Sequence, residues 1–134
     1  MVDDVVNMVR QYDCVDDVAL ISLNYDVIDY AETTYPEFMT GTLFFAGLGD
    51  VTKLNYDLLI MEEETATSAQ ILSIHTAGKK AVVWTVNTET SLKHFLDSTA
   101  DAIITDEIVL AEEVQKQLDS RTEYQVLQDR LGNK

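Results

Sequence analysis

Short apolar runs alternate along the chain with segments whose apolar residues recur at helical spacing. The runs predict strands at 18–23, 42–46, 57–61, 80–86 and 102–105. The other segments predict helices over 2–12, 27–35, 67–77, 89–98, 108–118 and 123–131. Because strands and helices alternate, the pattern predicts an α/β fold with a parallel sheet.

Individual residues predict where some of these elements end and how they are buried. The continuous apolar run at 18–23 is typical of a strand buried on both faces. Pro36 ends the second helix, because proline lacks the N–H that a helix interior needs. Thr67 or Ser68 caps the third helix, and Gly78 stops it.

The length of 134 residues suits about one domain. No linker or low-complexity tract divides the chain. We therefore interpret residues 1–134 as a single unit, in which 120–134 form a C-terminal helical tail.

Two architectures fit parallel strands joined by helices: an open doubly wound sheet and a segment of a (β/α)8 barrel. Periodicity does not choose between them. In both, functional residues collect where the strands end, and Gly47 and Gly49 allow a sharp turn after one of these ends. The segments that follow the strands are 24–26, 46–49, 61–64, 84–88 and 105–107.

The chain is strongly acidic, with 24 Asp and Glu against 9 Lys and Arg and a formal net charge of -15. Such a field repels phosphate backbones and anionic headgroups, so nucleic-acid binding is disfavoured. The single Cys14 has no internal disulfide partner. No apolar stretch reaches the roughly 18 residues of a membrane span. The chain as given is expected to be soluble, and a membrane tether in a longer parent stays open.

Two segments resemble the last two strands of the glycerophosphodiester phosphodiesterase family. The first is Gly-Lys-Lys-Ala-Val-Val-Trp-Thr-Val-Asn at 78–87, and the second is Ala-Ile-Ile-Thr-Asp at 102–106. Upstream, 20–26 is more loosely similar to the strand of that family that usually reads Ser-Phe-Asp, with Ser22 in a similar place. The resemblance covers roughly residues 1–118.

The resemblance implies a partial TIM barrel, comprising about the last five strands with their helices. It also implies a phosphoric diester hydrolase of lipid and glycerol metabolism. Such an enzyme releases glycerol 3-phosphate and an alcohol from a small glycerophosphodiester. The family's use of a divalent metal, calcium or magnesium, is expected of the full-length enzyme and not of this fragment.

The family's catalytic motifs are not found in this sequence. These are a His-Arg-Gly strand end, a Glu after it, a Glu-x-Asp strand, a His-Asp pair and a Glu-x-Lys. The two histidines, His75 and His94, both fall within predicted helices, where we expect surface or packing roles. No catalytic residue and no metal ligand is therefore assigned in this chain, and the isolated fragment is expected to be inactive.

Trp84 and Asn87 are the candidate substrate-binding residues. An indole near a strand end can form a pocket wall, although it can equally fill the core of a barrel. The Asn87 amide can bond a glycerol hydroxyl, although asparagine is also a favoured helix cap. Asp106 raises the same choice, and we favour a cap for the helix that begins at Ile108.

The three carboxylates at 62–64 lie where a strand meets a helix, a place that the helix dipole favours for acidic residues. Alternating side-chain directions let at most two of them face one cation, so a metal site is disfavoured.

The alternative function is a self-contained, flavodoxin-like binding or signalling module without catalysis. Against it, Asp16 and Asp17 precede the first strand, which is the wrong end for a receiver-type acidic pocket. For the barrel fragment we expect a homodimer, because a five-strand piece exposes two sheet edges and an apolar inner face.

Overall fold

A computed structural model describes residues 1–44 and 50–132 of the chain. One parallel sheet contains the strands β1 Ala19–Ser22, β2 Met39–Phe44, β3 Leu58–Glu62, β4 Lys80–Trp84 and β5 Ala102–Ile103. The α-helices in the described part are α1 Val2–Gln11, α2 Tyr25–Thr34, α3 Ser68–Thr76, α4 Glu89–Leu96, α5 Ile108–Asp119 and α6 Glu123–Gly132. The predicted α/β fold is confirmed.

The strands lie in the sheet in the order in which they occur in the chain, from β1 to β5. A flavodoxin-like sheet reverses direction at a switch point, whereas the strands of a (β/α)8 barrel follow one another around it. The observed order is therefore that of a partial barrel, and the flavodoxin-like alternative is wrong.

Several helix ends follow the predicted local chemistry. The Thr67 hydroxyl accepts a hydrogen bond from the Gln70 N–H at 3.2 Å, which caps α3. Gly78 ends this helix with a φ of 76°, a conformation that glycine adopts without the steric cost of a side chain. The chain between β2 and β3 contains a short 3-10 helix, Val51–Lys53, in its described part. The turn predicted at Gly47 and Gly49 lies outside the described residues.

The helices cover one face of the sheet and form the main core there. Met61 and Val83 lie on this face and pack with Ile74, Leu92 and Phe95 from the helices. Because successive side chains of a strand alternate between faces, the neighbours of Met61 and Val83 point to the other side. We call this other side the inner face. It comprises Ala19, Ile21, Met39, Gly41, Leu43, Leu58, Ile60, Glu62, Lys80, Val82, Trp84, Ala102 and, directly after β5, Ile104.

The prediction that the first strand is buried on both faces is wrong. In β1, Ala19 is exposed and Ile21 is 47% exposed. The reason is position: β1 lies at the edge of the sheet and pairs only with β2 in the described part of the chain. A continuous apolar run indicates burial in a complete barrel, and here the inner side of this edge strand is open.

The C-terminal helix α6 is joined to the rest of the chain by Arg121. The Arg121 guanidinium donates to the Asp97 carboxylate after α4, with its two contacts at 2.5 and 3.1 Å. It also donates to Asp129 of α6 at 2.8 Å. The hydrogen bonds from Arg121 lower the pKa of the Asp97 carboxyl. Among the described residues, no helix has the length and apolar character needed to cross a membrane.

Candidate functional site

The inner face ends in an acidic and an aromatic side chain from neighbouring strands. Glu62 and Trp84 are register partners at the ends of β3 and β4, and both are half-buried. The Trp84 indole Nε1–H is buried and has no hydrogen-bond partner within residues 1–44 and 50–132. A buried donor without an acceptor costs free energy, so this N–H is suited to an incoming oxygen.

The loops that follow β4 and β5 are held together by the side chain of Asn87. Its Oδ1 accepts from the Asp106 backbone N–H at 2.9 Å and from the Thr105 hydroxyl at 3.2 Å. Its Nδ2 donates to the Asp106 carboxylate at 3.0 Å. We call this arrangement of Asn87, Thr105 and Asp106 the Asn87 clasp. It joins two strand ends that are distant in sequence.

The helix-cap interpretations of Asn87 and Asp106 are wrong. The Thr88 hydroxyl caps α4 by accepting from the Ser91 N–H at 3.2 Å, so Asn87 lies one residue before the cap. At α5 the capping position is Glu107, which makes no side-chain cap hydrogen bond. Both polar groups are instead used in the Asn87 clasp, because the ends of parallel strands meet at one edge of the sheet.

Most of the chain matches a known family. The sequence model of the glycerophosphoryl diester phosphodiesterase family matches residues 2–110. The chain belongs to this family. No curated protein sequence matches it significantly.

Solved structures of related proteins share the fold. A glycerophosphoryl diester phosphodiesterase described as putative, from Silicibacter pomeroyi, matches with a TM-score of 0.77 at 18% identity, covering 88% of this chain and 44% of its own. A glycerophosphodiester phosphodiesterase from Parabacteroides distasonis matches with 0.72 at 24% identity, covering 90% and 50%. A phosphodiesterase from Oleispira antarctica, in complex with the product sn-glycerol-3-phosphate, matches with 0.63 at 23% identity, covering 76% and 42%. The chain thus spans about half the length of these structures.

In the described part of the chain, the carboxylates at 62–64 are spread around a turn. Glu62 ends β3, and Glu63–Thr65 form a 3-10 helix. One Glu63 oxygen, Oε2, is buried without a hydrogen-bond partner in the described part of the chain. Within 1–44 and 50–132, no three His, Cys, Asp or Glu side chains are grouped as metal ligands would be. The described residues therefore do not fit a complete metal site.

Both histidines lie in helices, as predicted, and away from the strand ends that carry Trp84 and Asn87. His75 is near the end of α3, where its Nε2 lies 2.7 Å from Asp101 Oδ2. Asp101 precedes β5 and also accepts from the Ala81 N–H at 2.8 Å. Partial burial raises the pKa of the Asp101 carboxyl, but the hydrogen bonds from His75 and Ala81 lower it more, so its net shift is downward. His94 is exposed on α4 beside the ring of Phe95.

Two features of this edge were not anticipated from the sequence. The pairing of Glu62 with Trp84 depends on strand register. Because side chains alternate along a strand, Glu62 lies on the same face as Ile60, and Trp84 on the same face as Val82. The bonds between Asn87 and Asp106 depend on how two loops meet. Their signal in the sequence is one amide and one carboxylate, each placed directly after a strand.

Proposed function

We propose that this chain is the C-terminal half of a barrel enzyme that hydrolyses glycerophosphodiesters to glycerol 3-phosphate and an alcohol. The observation that carries the proposal is the family match over residues 2–110, on a sheet whose five parallel strands follow chain order. The product complex of the Oleispira antarctica relative supports a small glycerophosphate ligand. Residues 1–134 act as one unit in this proposal, with 120–134 as its helical tail.

The half-barrel contributes a wall of the substrate site rather than the reacting groups. Trp84 lines the pocket on the inner face, and Asn87 acts at its rim through the loops after β4 and β5. The general acid, the general base and the ligands of a calcium or magnesium ion come from the other half of the barrel. A bound divalent cation would stabilise negative charge on the phosphoryl oxygens.

The test compares the isolated chain with a longer natural protein that contains it. Glycerophosphocholine is supplied with calcium or magnesium, and the release of glycerol 3-phosphate is measured. We expect turnover by the longer protein, its loss on chelation, and none by the isolated chain, because positioning groups alone recover little of the barrier. Metal-dependent turnover by the pure 134-residue chain would show that catalytic groups lie in this half.

We further propose that the isolated chain forms a homodimer. On its inner side Ile21 is 47% and Ile104 is 40% exposed, and the edge strand β1 has β2 as its only partner strand in the described part of the chain. Apolar surface of this kind favours burial against another chain, and a two-fold pair is the commonest closed assembly. The charge of -15 opposes association, but salt screens it beyond about 8–10 Å.

A further inference from the structure

At the C-terminal edge of the sheet, the charged residues outside the β2–β3 connection are all acidic. The segments that follow β1, β3, β4 and β5 are 23–24, 63–67, 85–88 and 104–107, and we call them the rim loops. The rim loops contain no Lys, Arg or His, and they carry the carboxylates of Glu63, Glu64, Asp106 and Glu107. The β2–β3 connection carries Lys53, which lies 3.9 Å from the Asp50 carboxylate.

A phosphodiester is an anion, and its hydroxyl-bearing alcohol parts are not. An anion placed among unpaired carboxylates is repelled, most strongly where water is excluded. A hydroxyl, in contrast, donates well to a carboxylate, since hydrogen bonds to an ionised acceptor are among the stronger ones. The rim loops therefore suit the hydroxyl end of a substrate and not its phosphate.

Among the carboxylates of the rim loops, Asp106 is the one whose orientation is fixed by a side-chain amide. Its Oδ2 accepts from Asn87 Nδ2 at 3.0 Å, while its backbone N–H donates to Asn87 Oδ1 at 2.9 Å. Its other carboxylate oxygen has no hydrogen-bond partner among residues 1–44 and 50–132. Asp106 is also exposed, so this oxygen can be reached by a ligand.

Helix capping does not account for the clasp. Thr88 caps α4, and α5 begins without a side-chain cap, so neither helix start uses Asn87 or Asp106. Hydrogen bonds at an exposed site add little net stability because water competes for them. What the clasp does achieve is to hold the Asp106 carboxylate by a hydrogen bond from Asn87, where β4 and β5 end.

We propose that Asp106 accepts a hydrogen bond from a hydroxyl of the substrate's glycerol moiety and that Asn87 is the residue that positions it. This half of the barrel then binds the polyol end of the diester, and the phosphate faces the other half. The inference rests on the proposed function. It adds a specificity determinant to that function and an orientation for the substrate.

The test uses the longer enzyme and two diesters that differ in their hydroxyls. Glycerophosphocholine has the free glycerol hydroxyls, and bis(p-nitrophenyl) phosphate has none. For each variant we measure the ratio of kcat/KM for glycerophosphocholine to kcat/KM for bis(p-nitrophenyl) phosphate. Asp106→Ala should lower this ratio about 10- to 100-fold, the range for losing one hydrogen bond to a charged group. The loss should be mainly in KM for glycerophosphocholine.

Matched variants separate this role from a structural one. Glu107→Ala removes the same charge from the same loop and should leave the ratio as in the wild type. Asn87→Ala should lower the ratio less than Asp106→Ala, and the double variant should be no worse than Asp106→Ala, because Asn87 acts through Asp106.

Each outcome has one interpretation. Equal losses on both diesters, an unchanged ratio in Asp106→Ala, or additive effects of the two substitutions would overturn the inference while the proposed function stands. A wild-type enzyme that hydrolyses neither diester would overturn the proposed function, and the inference with it, before any variant is compared.

Discussion

The curvature of the sheet can be tested at Gly41, where an added methyl group has no room. Gly41 lies on the inner face of β2, between Ile21 of β1 and Leu58 of β3. A Cβ at this position would lie 2.8 Å from Leu58 Cβ, 3.1 Å from Ile21 Cγ2 and 3.2 Å from the Leu58 carbonyl oxygen. Two of these three atoms are fixed to or part of the β3 backbone. Relief of the contact therefore requires a shift of one strand against another.

The expected cost follows from two opposing effects. Overpacking a tight site typically costs about 1–3 kcal/mol. Replacing glycine by alanine also removes freedom from the unfolded chain, which stabilises the fold by about 0.4–1 kcal/mol where the backbone conformation allows alanine. Steric strain is the larger effect. We therefore expect Gly41→Ala to lower the free energy of unfolding by about 1–2 kcal/mol.

Urea unfolding followed by circular dichroism measures this change, provided that the slope of the transition stays constant. Gly132→Ala is the matched control, since no heavy atom lies within 4 Å of its added Cβ. Gly132 is in α6, where alanine is favoured over glycine, so the control should be neutral or stabilised. A Gly41→Ala protein as stable as the wild type would mean that the strands do not curve as tightly as described.

Four further results are expected. Arg121→Met should lower the urea midpoint and expose α6 to proteolysis, because it removes the contacts to Asp97 and Asp129, whereas Lys116→Met should do neither. The free energy of unfolding should fall below about pH 4, because the folded pKa values of Asp97 and Asp101 lie below their unfolded values. The stability that these two ionised carboxylates add above about pH 4 is lost as they are protonated, and Asp101→Asn should reduce this loss. Trp84→Ala should cost less than the 3–5 kcal/mol typical of a fully buried large aromatic, because the indole is only half-buried, and a larger loss in urea would place it in the core. Light scattering at micromolar concentration in 0.15 M salt should give a dimer, and a clean monomer of 15 kDa would contradict the proposed association.

The strands and helices could be predicted because each leaves a local pattern. β4 and α5 illustrate this, since a run of apolar residues and a helical repeat were enough to place both within a few residues. The burial of β1 could not be predicted in the same way. Its apolar composition reflects a strand covered on both sides, whereas its exposure depends on whether a neighbour lies beyond it.

The candidate site was predicted less well than the fold, and Asn87 shows why. Local propensity favours asparagine as a helix cap, and the next residue, Thr88, is equally suited to that position. In the structure Thr88 takes the cap position, and the Asn87 side chain instead contacts Asp106, which lies on a different loop. Local sequence carries capping propensities, but it does not carry the geometry by which two strand ends approach each other.

The distribution of satisfied and unsatisfied polar groups separates the two edges of the sheet. At the N-terminal edge, the Asp57 carboxylate accepts from the Thr40 N–H at 3.1 Å, and Lys79 Nζ donates to the Tyr56 carbonyl at 2.7 Å. The buried side-chain atoms that lack a partner in the described part of the chain, Glu63 Oε2 and Trp84 Nε1, both belong to the C-terminal edge. Leaving such groups unpaired costs stability, so this edge gains most from a partner that brings polar atoms to it. In the enzyme proposed above, the diester would meet the sheet at this edge, so the two unpaired groups lie where a ligand with polar atoms would contact them.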